Sequence, residues 1–320
     1  MASNTQATKS KSKVKKVQSP SSKSSLLARW STVFVVGLVA AILFQWSYAG
    51  AIPEDLFSAG IKNVLVLTAH PDDEVMFFAP AILHLVGSGA QVYGLCLSSG
   101  NADGLGETRK IELLEAYSRL GVPSSQVTLI DDPVLPDGMQ TAWNPAYVAT
   151  KTAAAIFDHQ IDTVLTFDAS GVSSHPNHVS LHTSMWGYLT RSLGREAQNR
   201  MSGDGTQQAQ PPLDPAIYAL RTPTLARKYL GLPGALSSHY HSRRAVRRKS
   251  IEGSSTAESK STLLQQRPDQ LTFLSSPVQY ARTLLAMRAH ASQLVWFRYL
   301  YVLFSVLMFG GQLDRVEVQR

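Results

Sequence analysis

The stretch NVLVLTAHPDDEVMFF at residues 63–78 decides how the rest of the chain is interpreted. Residues 64–67 are all valine or leucine, which predicts a buried strand at 63–68. From residue 73 onward the apolar residues follow a helical spacing, so a helix is predicted at 73–86. A strand that passes through a short polar turn directly into a helix is the first half of an α/β unit.

Outward from this stretch, the same alternation of strand and helix repeats along the chain. After the first pair, strands are predicted at 91–97, 126–130, 163–167, 217–220 and 271–273, and helices at 107–120, 145–157, 176–193 and 276–293. Regular alternation predicts an α/β fold with three layers and a parallel sheet. In open sheets of this kind, ligands bind beyond the carboxyl ends of the strands.

The 320 residues exceed one average domain, and composition separates the ends from the middle. The segments without apolar periodicity are rich in Ser, Lys, Gly, Gln or Arg, which is typical of tails and loops. The predicted organisation is a disordered basic tail at 1–25, a transmembrane anchor at 26–53, a catalytic domain at 60–310 with polar insertions at 194–213 and 235–268, and a C-terminal tail at 311–320.

The anchor prediction depends on a run of 24 uncharged residues at 30–53. As a helix at about 1.5 Å per residue, this run covers roughly 36 Å, and a bilayer core is about 30 Å thick. A cleaved signal peptide is the alternative, because the strictly apolar core at 33–44 is short. A second apolar stretch at 294–310 is too short and interrupted for a span, so it is either a core helix or an interfacial helix.

The positive charge is concentrated beside apolar segments. The net charge is +7, with seven cations before Trp30 and five more at 243–249. Such local clusters fit an anionic membrane surface better than a nucleic-acid groove, so no nucleic-acid partner is expected. The single cysteine, Cys96, excludes an intrachain disulfide.

Two polar clusters directly follow predicted strands: HPDDE at 70–74, and HPNH at 175–178 after Asp168. In each cluster the histidine precedes a proline, so its backbone is expected to be extended. The proline suits the first helical position. The residue three places after the histidine then returns to the same side of the first turn. Two strand ends of this kind, placed side by side, can converge on one small volume.

Together the clusters hold three histidines and two or three carboxylates, which are ordinary zinc ligands. A catalytic zinc uses three protein ligands and keeps one position open, so a remaining aspartate and histidine are available for proton transfer. A single H-x-x-H pair is weak evidence, but two matched clusters at strand ends favour a metal site. The remaining histidines are interpreted as structural or solvated: His84, His159, His182, His239, His241 and His290.

These motifs resemble the LmbE-like deacetylases and, within them, the PIG-L family, N-acetylglucosaminylphosphatidylinositol de-N-acetylase. The resemblance covers residues 60–190 and 270–310. It is carried by AHPDDE at 69–74, MFFAP at 76–80, GETRKIELL at 106–114, FDASGVSSHPNH at 167–178 and SQLVWFRYLYVLFS at 292–305.

The resemblance implies a Rossmann-like three-layer sandwich with a mostly parallel sheet, and a zinc ion or another divalent metal. Carried over by position, His70, Asp73 and His178 would be the metal ligands. Asp72 would be the general base toward the metal-bound water. His175 would stabilise the oxyanion and protonate the leaving amine.

Two further roles follow from the same resemblance. Arg109 would face the phosphoinositol part of the substrate, and Asp168 would hold a histidine in its tautomer. The implied reaction is removal of acetate from N-acetylglucosaminyl-phosphatidylinositol, an early step of GPI-anchor biosynthesis. The implied partners are this lipid-linked sugar and the membrane, and the oligomeric state is left open.

The resemblance also implies a single-pass protein of the endoplasmic reticulum with a cytoplasmic catalytic domain. The basic N-terminus, with Glu54 and Asp55 beyond the apolar run, predicts the reverse orientation. Three rival functions remain at this point. They are a deacetylase of another N-acetylglucosamine conjugate, a non-haem iron oxygenase built on two histidines and one carboxylate, and an inactive membrane scaffold.

Overall fold

The computed structural model describes residues 22–49, 60–202, 215–252 and 267–317. The chain divides into two units, residues 1–44 and 45–320. The first unit contributes most of helix α1 (Ser22–Ala49), so the last residues of the predicted tail at 1–25 are helical. Within the described ranges, no helix combines the length and the apolar character needed to cross a membrane, and the span expected at 26–53 is therefore not found there.

The second unit alternates strands and helices as the sequence predicts. Its elements in chain order are β1 (Asn63–Thr68), α2 (Asp73–Gly87), β2 (Gln91–Cys96), α3 (Gly106–Leu120), β3 (Val127–Leu129), α4 (Pro145–Asp158), β4 (Thr163–Phe167), α5 (Gly171–Ser174), α6 (Pro176–Ser202), β5 (Ala216–Leu220), α7 (Leu225–Lys228), α8 (Gly231–Glu252), β6 (Gln270–Leu274), α9 (Pro277–Met287), α10 (Trp296–Phe304), α11 (Val306–Phe309) and β7 (Gly310–Arg315).

The seven strands form one sheet in the order β3-β2-β1-β4-β5-β7-β6. Strands β1 to β5 are parallel, and β7 runs antiparallel to both of its neighbours. The prediction of an α/β fold with a mostly parallel sheet is confirmed. Strand β1 lies beside β4, with Val64 paired to Thr163. From β1 the chain continues to β2 and β3 on one side of the sheet, and from β4 it continues to β5 on the other side. The carboxyl ends of β1 and β4 are therefore the switch point where a crevice opens.

The core fills both faces of the central strand. Residues 64–67 of β1 are each at most 1% exposed, because helices cover both sides of the sheet. Helix α2 packs with α3 and α9, whereas α4 packs with α6. The valine and leucine run that opens the fold is thus buried on both faces, as parallel strands are.

The structure differs from the sequence interpretation in the polar segments. Helices α6 and α8 extend into the ranges 194–213 and 235–268, which the sequence presents as loops. Residues 203–214 and 253–266 lie outside the described ranges. Local apolar periodicity does not predict helix α8, because this helix buries few residues, among them Ala235 and Ser242. Such a sparse buried face leaves little apolar periodicity to detect.

The end of the chain also differs, because strand β7 occupies the first half of the stretch expected to be a tail. Gly310 makes this pairing possible. A Cβ at Gly310 would lie 2.6 Å from the carbonyl oxygen of Phe273 in the neighbouring strand. Only glycine allows such a close backbone approach. The strand pairs with β5 and β6, so its partners are distant in sequence and invisible to local patterns.

Candidate metal centre

The two His-Pro clusters meet at the carboxyl ends of β1 and β4. The ring centroids of His70 and His175 are 4.9 Å apart, those of His175 and His178 also 4.9 Å, and those of His70 and His178 5.5 Å. Asp73 lies between two of these rings, 3.3 Å from Nε2 of His178. The convergence predicted from the strand ends is therefore present.

His178 points one ring nitrogen at a backbone carbonyl and the other into the centre. Its Nδ1 lies 3.1 Å from the carbonyl oxygen of Gly171, which can only accept, so Nδ1 carries the proton. The neutral ring then has its lone pair on Nε2, which is buried without a hydrogen-bond partner. This lone pair faces the Asp73 carboxylate, and Phe167 stacks on the ring at 4.0 Å. Two electron-rich atoms so placed need a cation between them.

His70 shows the same division between its two ring nitrogens. Its Nε2 lies 3.1 Å from Oδ1 of Asp137 and 3.1 Å from Oδ1 of Asn177. The amide nitrogen of Asn177 donates to the carbonyl of Thr141 at 2.8 Å, which fixes the amide oxygen toward His70. Nε2 of His70 is thus the donor, and the lone pair lies on Nδ1, 3.9 Å from Oδ2 of Asp73. Hydrogen bonds of this kind orient histidine ligands of metals.

Asp73 is a buried carboxylate at the N-terminus of α2. Its Oδ2 accepts hydrogen bonds from the backbone N–H groups of Ala69 and His70, each at 3.0 Å. Burial by itself would raise the pKa of Asp73, but the positive charge that His178 and His70 bring when protonated, together with the hydrogen bond from the backbone N–H of His70, holds that pKa well below its usual range, and a bound cation would act in the same direction. The side chain is therefore ionised and available as a ligand.

These observations decide which donor set fits a metal. Ligand atoms of His70, Asp73 and His178 all lie within 4.8 Å of one another, and two imidazoles with one carboxylate form an ordinary zinc set. A second group, His70, Asp137 and His175, meets the same distance limit. It fits less well, because Nε2 of His70 already donates its proton to Asp137. The residues present fit a divalent metal at the first set.

Asp72 leaves the helical path, which corrects one expectation. Helix α2 begins at Asp73, as its apolar spacing predicts, so Pro71 is not the first helical residue, and Asp72 adopts the left-handed conformation with φ 106°. Its backbone N–H donates to Oε2 of Glu74 at 3.1 Å, and its carboxylate forms an ion pair with Arg298. Burial raises the pKa of the Asp72 carboxyl, although the Arg298 guanidinium opposes the shift. A buried carboxylate with a raised pKa is suited to accept a proton.

A buried ion pair supports this strained residue. Oε1 of Glu74 lies 2.5 Å from Nε2 of His290, and both side chains are fully buried. The other oxygen of Glu74 is the one that accepts the Asp72 N–H. His290 is therefore structural, as the sequence suggested, but its partner and its effect on Asp72 depend on a contact between distant segments. Left-handed non-glycine residues persist only where the surroundings hold them.

His175 lies at the edge of the centre as a neutral hydrogen-bond donor. Its Nδ1 accepts the backbone N–H of Asn177 at 3.3 Å, which leaves the proton on Nε2. That nitrogen is 3.9 Å from Oδ1 of Asp137. Burial, together with the neighbouring His70 and His178 rings, lowers the pKa of His175 to about 4. The neutral ring can donate through Nε2 to a developing negative charge.

Arg109 lines the same cleft and brings a largely buried positive charge. Its guanidinium donates to the carbonyl of Gly100 and lies 3.2 Å from Oδ2 of Asp103. The side chain is only 13% exposed. A cation held in this way can meet an anionic group of a ligand without a large rearrangement.

Asp168 supports the histidines indirectly, through backbone contacts, and this corrects its predicted role. It accepts the backbone N–H of Gly171 at 3.0 Å, and it also binds the backbone N–H and hydroxyl of Thr222. Among the described residues, no histidine donates to it. Asp168 instead holds the loop whose Gly171 carbonyl fixes the tautomer of His178.

The cleft around the centre measures about 450 Å³. It is lined by residues of both His-Pro clusters and by Arg109, Phe297 and Arg298. Local patterns did not single out Asp137, Asn177 or Arg298 as functional. Asp137 follows Pro136 and precedes Gly138, a turn signal rather than a site signal. Nothing local to Arg298 indicates its contact with Asp72.

Comparisons with known proteins agree with this geometry. Residues 65–188 match the family described as GlcNAc-PI de-N-acetylase. The chain is 32% identical to a probable N-acetylglucosaminyl-phosphatidylinositol de-N-acetylase of Schizosaccharomyces pombe, covering 89% of this chain and 98% of the relative. It is 34% identical to the N-acetylglucosaminyl-phosphatidylinositol de-N-acetylase of Bos taurus, covering 78% and 81%.

A solved structure shares the fold at much lower identity. The N,N'-diacetylchitobiose deacetylase from Pyrococcus horikoshii superposes with a TM-score of 0.52 at 15% identity, covering 88% of this chain and 92% of that chain. Family membership itself is carried by the closer sequence relatives, which match over most of their length. The chain therefore belongs to the N-acetylglucosaminyl-phosphatidylinositol de-N-acetylase family.

Proposed function

We propose that the chain hydrolyses the N-acetyl group of N-acetylglucosaminyl-phosphatidylinositol, giving acetate and glucosaminyl-phosphatidylinositol, with a zinc ion held by His70, Asp73 and His178. One observation carries the proposal. Each ligand histidine has its outer nitrogen fixed by a hydrogen bond, and its inner lone pair faces Asp73. The sequence relatives named for this reaction support the substrate.

The chemistry divides between the metal and the side chains around it. A zinc ion supplies Lewis-acid chemistry, which makes water acidic near neutral pH and polarises an amide carbonyl. Asp72 is the general base, because it borders the ligand set and its carboxyl has a raised pKa. It takes one proton from the attacking water while the water oxygen bonds to the acetyl carbon.

His175 is placed to serve the other side of the reaction. Its Nε2–H faces the cleft and can donate to the oxyanion that forms as the carbonyl is attacked. When the carbon–nitrogen bond breaks, the amine nitrogen needs a proton. We assign its delivery to His175 in its protonated form, which passes on the proton that Asp72 took from the water. Its low pKa keeps the ring neutral until negative charge develops beside it.

The cleft also carries positive charge for an anionic head group. Arg109 and Arg298 both line the cleft, and Arg298 is already paired with Asp72. We assign the phosphoinositol group to Arg109. This substrate places the reaction early in GPI-anchor biosynthesis at the endoplasmic reticulum membrane, with the catalytic unit on the cytoplasmic face. Protease treatment of sealed microsomes tests that orientation, and full protection of the catalytic unit would contradict it.

The proposal is tested by acetate release from purified, zinc-loaded protein. We expect turnover of the lipid-linked sugar, much slower turnover of free N-acetylglucosamine, and loss of both after chelation with recovery on added zinc. Turnover must also continue without oxygen, since an oxygenase would stop. Equal turnover of free N-acetylglucosamine would favour a deacetylase of another conjugate, and a protein that binds metal but releases no acetate would favour an inactive scaffold.

A further inference from the structure

Helix α10 exposes apolar side chains on the face that points away from the protein. Its inner face is anchored: Tyr301 and Val302 are buried, and the hydroxyl of Tyr301 donates to the carbonyl of Met76 at 3.0 Å. Its outer face carries no compensating polar stripe. The exposed fractions there are 75% for Trp296, 53% for Phe297, 54% for Tyr299, 50% for Leu300, 55% for Leu303 and 52% for Phe304.

A second exposed apolar segment abuts the end of this helix. In residues 225–230, Leu225 is 77% exposed, Tyr229 50% and Leu230 53%. The backbone directly after this segment touches α10, because a Cβ at Gly231 would lie 3.4 Å from the carbonyl oxygen of Leu303. Residues 225–230 and 295–304 together form one surface, here called the apolar rim.

The composition of the apolar rim matches a lipid interface. Both segments contain aromatic and branched apolar residues, and neither contains an aspartate or glutamate. Residues 225–230 carry two cations, Arg227 and Lys228, and residues 295–304 carry Arg298, which is paired with Asp72. Soluble proteins rarely expose apolar patches of this extent unless the patch binds something. Aromatic residues with basic residues are enriched at the level of lipid head groups, and cations favour anionic lipids.

The apolar rim is also continuous with the mouth of the catalytic cleft. Val295, Phe297 and Arg298 belong to the rim, and all three line the cleft. If the substrate is a lipid-linked sugar, as proposed above, its acyl chains stay in the bilayer while the sugar reaches the metal centre. The cleft mouth must then lie at the head-group layer, which is where an inserted rim would hold it.

We propose that the apolar rim inserts into the interfacial layer of an anionic bilayer and sets the cleft mouth at the level of the lipid head groups. Trp296, Leu300 and Leu303 enter the acyl boundary, and Arg227 remains among the phosphates. The substrate part of this inference rests on the proposed function. Insertion itself does not, and it can be measured without any turnover.

Insertion is measured by fluorescence quenching on vesicles of phosphatidylcholine and phosphatidylinositol with brominated acyl chains. The full chain is compared with a Trp296→Phe variant, which keeps the rim apolar, and the difference gives the signal of Trp296. We expect that signal to be quenched by brominated lipid. An unquenched Trp296 would overturn the proposal. If the protein also self-associates through this face, the rim is an interface between copies instead.

A kinetic experiment separates docking from the chemistry. Leu300→Ser with Leu303→Ser should lower kcat/KM on substrate in vesicles by about tenfold, because apolar area that enters the interface is lost. The same variant should turn over a soluble, deacylated substrate within about twofold of the parent, since burial beside the metal centre is unchanged. The matched control is Phe157→Ser with Ile111→Ser, two apolar residues of similar exposure on α4 and α3.

The outcomes distinguish the two proposals. An equal loss on both substrates would mean that the rim acts structurally, and the docking proposal would fail. An equal loss of kcat/KM on vesicles in the Phe157 and Ile111 control would mean that the effect is not specific to the rim, and the docking proposal would also fail. If the parent chain turns over neither substrate while Trp296 is quenched, the proposed function fails and the docking surface stands.

Discussion

The two His-Pro clusters have the same plan in sequence and different backbones in the structure. In the second cluster, His175 is extended with φ −66° and ψ 124°, and the helix begins directly at Pro176. In the first cluster, the chain turns through a left-handed Asp72, and the helix begins only at Asp73. The second cluster thus offers one proposed ligand, His178, from its helix, whereas the first offers two, His70 before the helix and Asp73 within it, and the separate carboxylate of Asp72 beside them.

Both clusters contain strained backbone, but at different places. The first holds it at Asp72, inside the motif, and the Glu74–His290 pair supports it. The second holds it before the motif, at Val172 with φ 60°, in a loop that Asp168 ties down. Residues that avoid such angles adopt them only where buried polar contacts compensate. The comparison predicts that substitutions at equivalent positions will have unequal effects.

The largest effect is expected from Asp73→Ala. Asp73 is the carboxylate that both ligand histidines face, so its loss should reduce bound zinc and acetate release together, to background. Elemental analysis and an acetate assay on the same preparation measure both quantities. Asp158→Ala, which removes an exposed aspartate at the end of α4, is the control and should change neither.

Asp72→Asn should separate rate from metal content. The change is nearly isosteric and leaves the proposed ligands in place, so zinc should remain bound while the rate falls by roughly 10²–10⁴, the usual contribution of a general base. The same two measurements apply. If Asp72→Asn loses zinc while Asp73→Ala keeps it, the roles of ligand and base have been exchanged.

Asp137→Ala tests the side-chain support of the first ligand histidine. Nε2 of His70 donates to Asp137 and Asn177, whereas His178 relies on a backbone carbonyl that no substitution removes. Loss of such a partner costs about 10–100-fold in metal affinity or activity. Competition with a graded chelator measures the affinity. An unchanged affinity would mean that Asn177 alone orients the ring.

The smallest effect is expected from Gly171→Ala in the second cluster. Gly171 has φ +56°, and an added Cβ would lie 3.0 Å from Cβ of His178. A left-handed alanine costs about 1–3 kcal/mol, and the crowding should also shift His178 and weaken metal binding a few-fold. Gly89→Ala is the matched control, because Gly89 has φ +85° with nothing within 4 Å of the added atom. It should lose stability and keep its metal affinity.

The sequence was sufficient wherever the deciding interactions are local. The apolar run of β1 and the alternation after it predicted the sheet, and the bounds of β4 agree with the structure at both ends. The preference of proline for the first helical position correctly predicted that the helix begins at Pro176. The same rule failed at Pro71, because the Asp72 conformation depends on Glu74 and on His290, more than 200 residues away in the chain.

Tertiary structure decided which partners complete the centre and which surface stays open. Asp137 and Arg298 reach the two His-Pro clusters from separate segments, and their neighbours in sequence carry no matching pattern. The stretch at 294–310 carries apolar residues on both its buried and its exposed face, so apolar periodicity cannot tell one face from the other. Local rules determine the elements because sterics and hydrophobic periodicity act within a few residues. The metal centre and the apolar rim arise only when the folded chain brings distant segments together, because burial and charge pairing depend on what packs nearby.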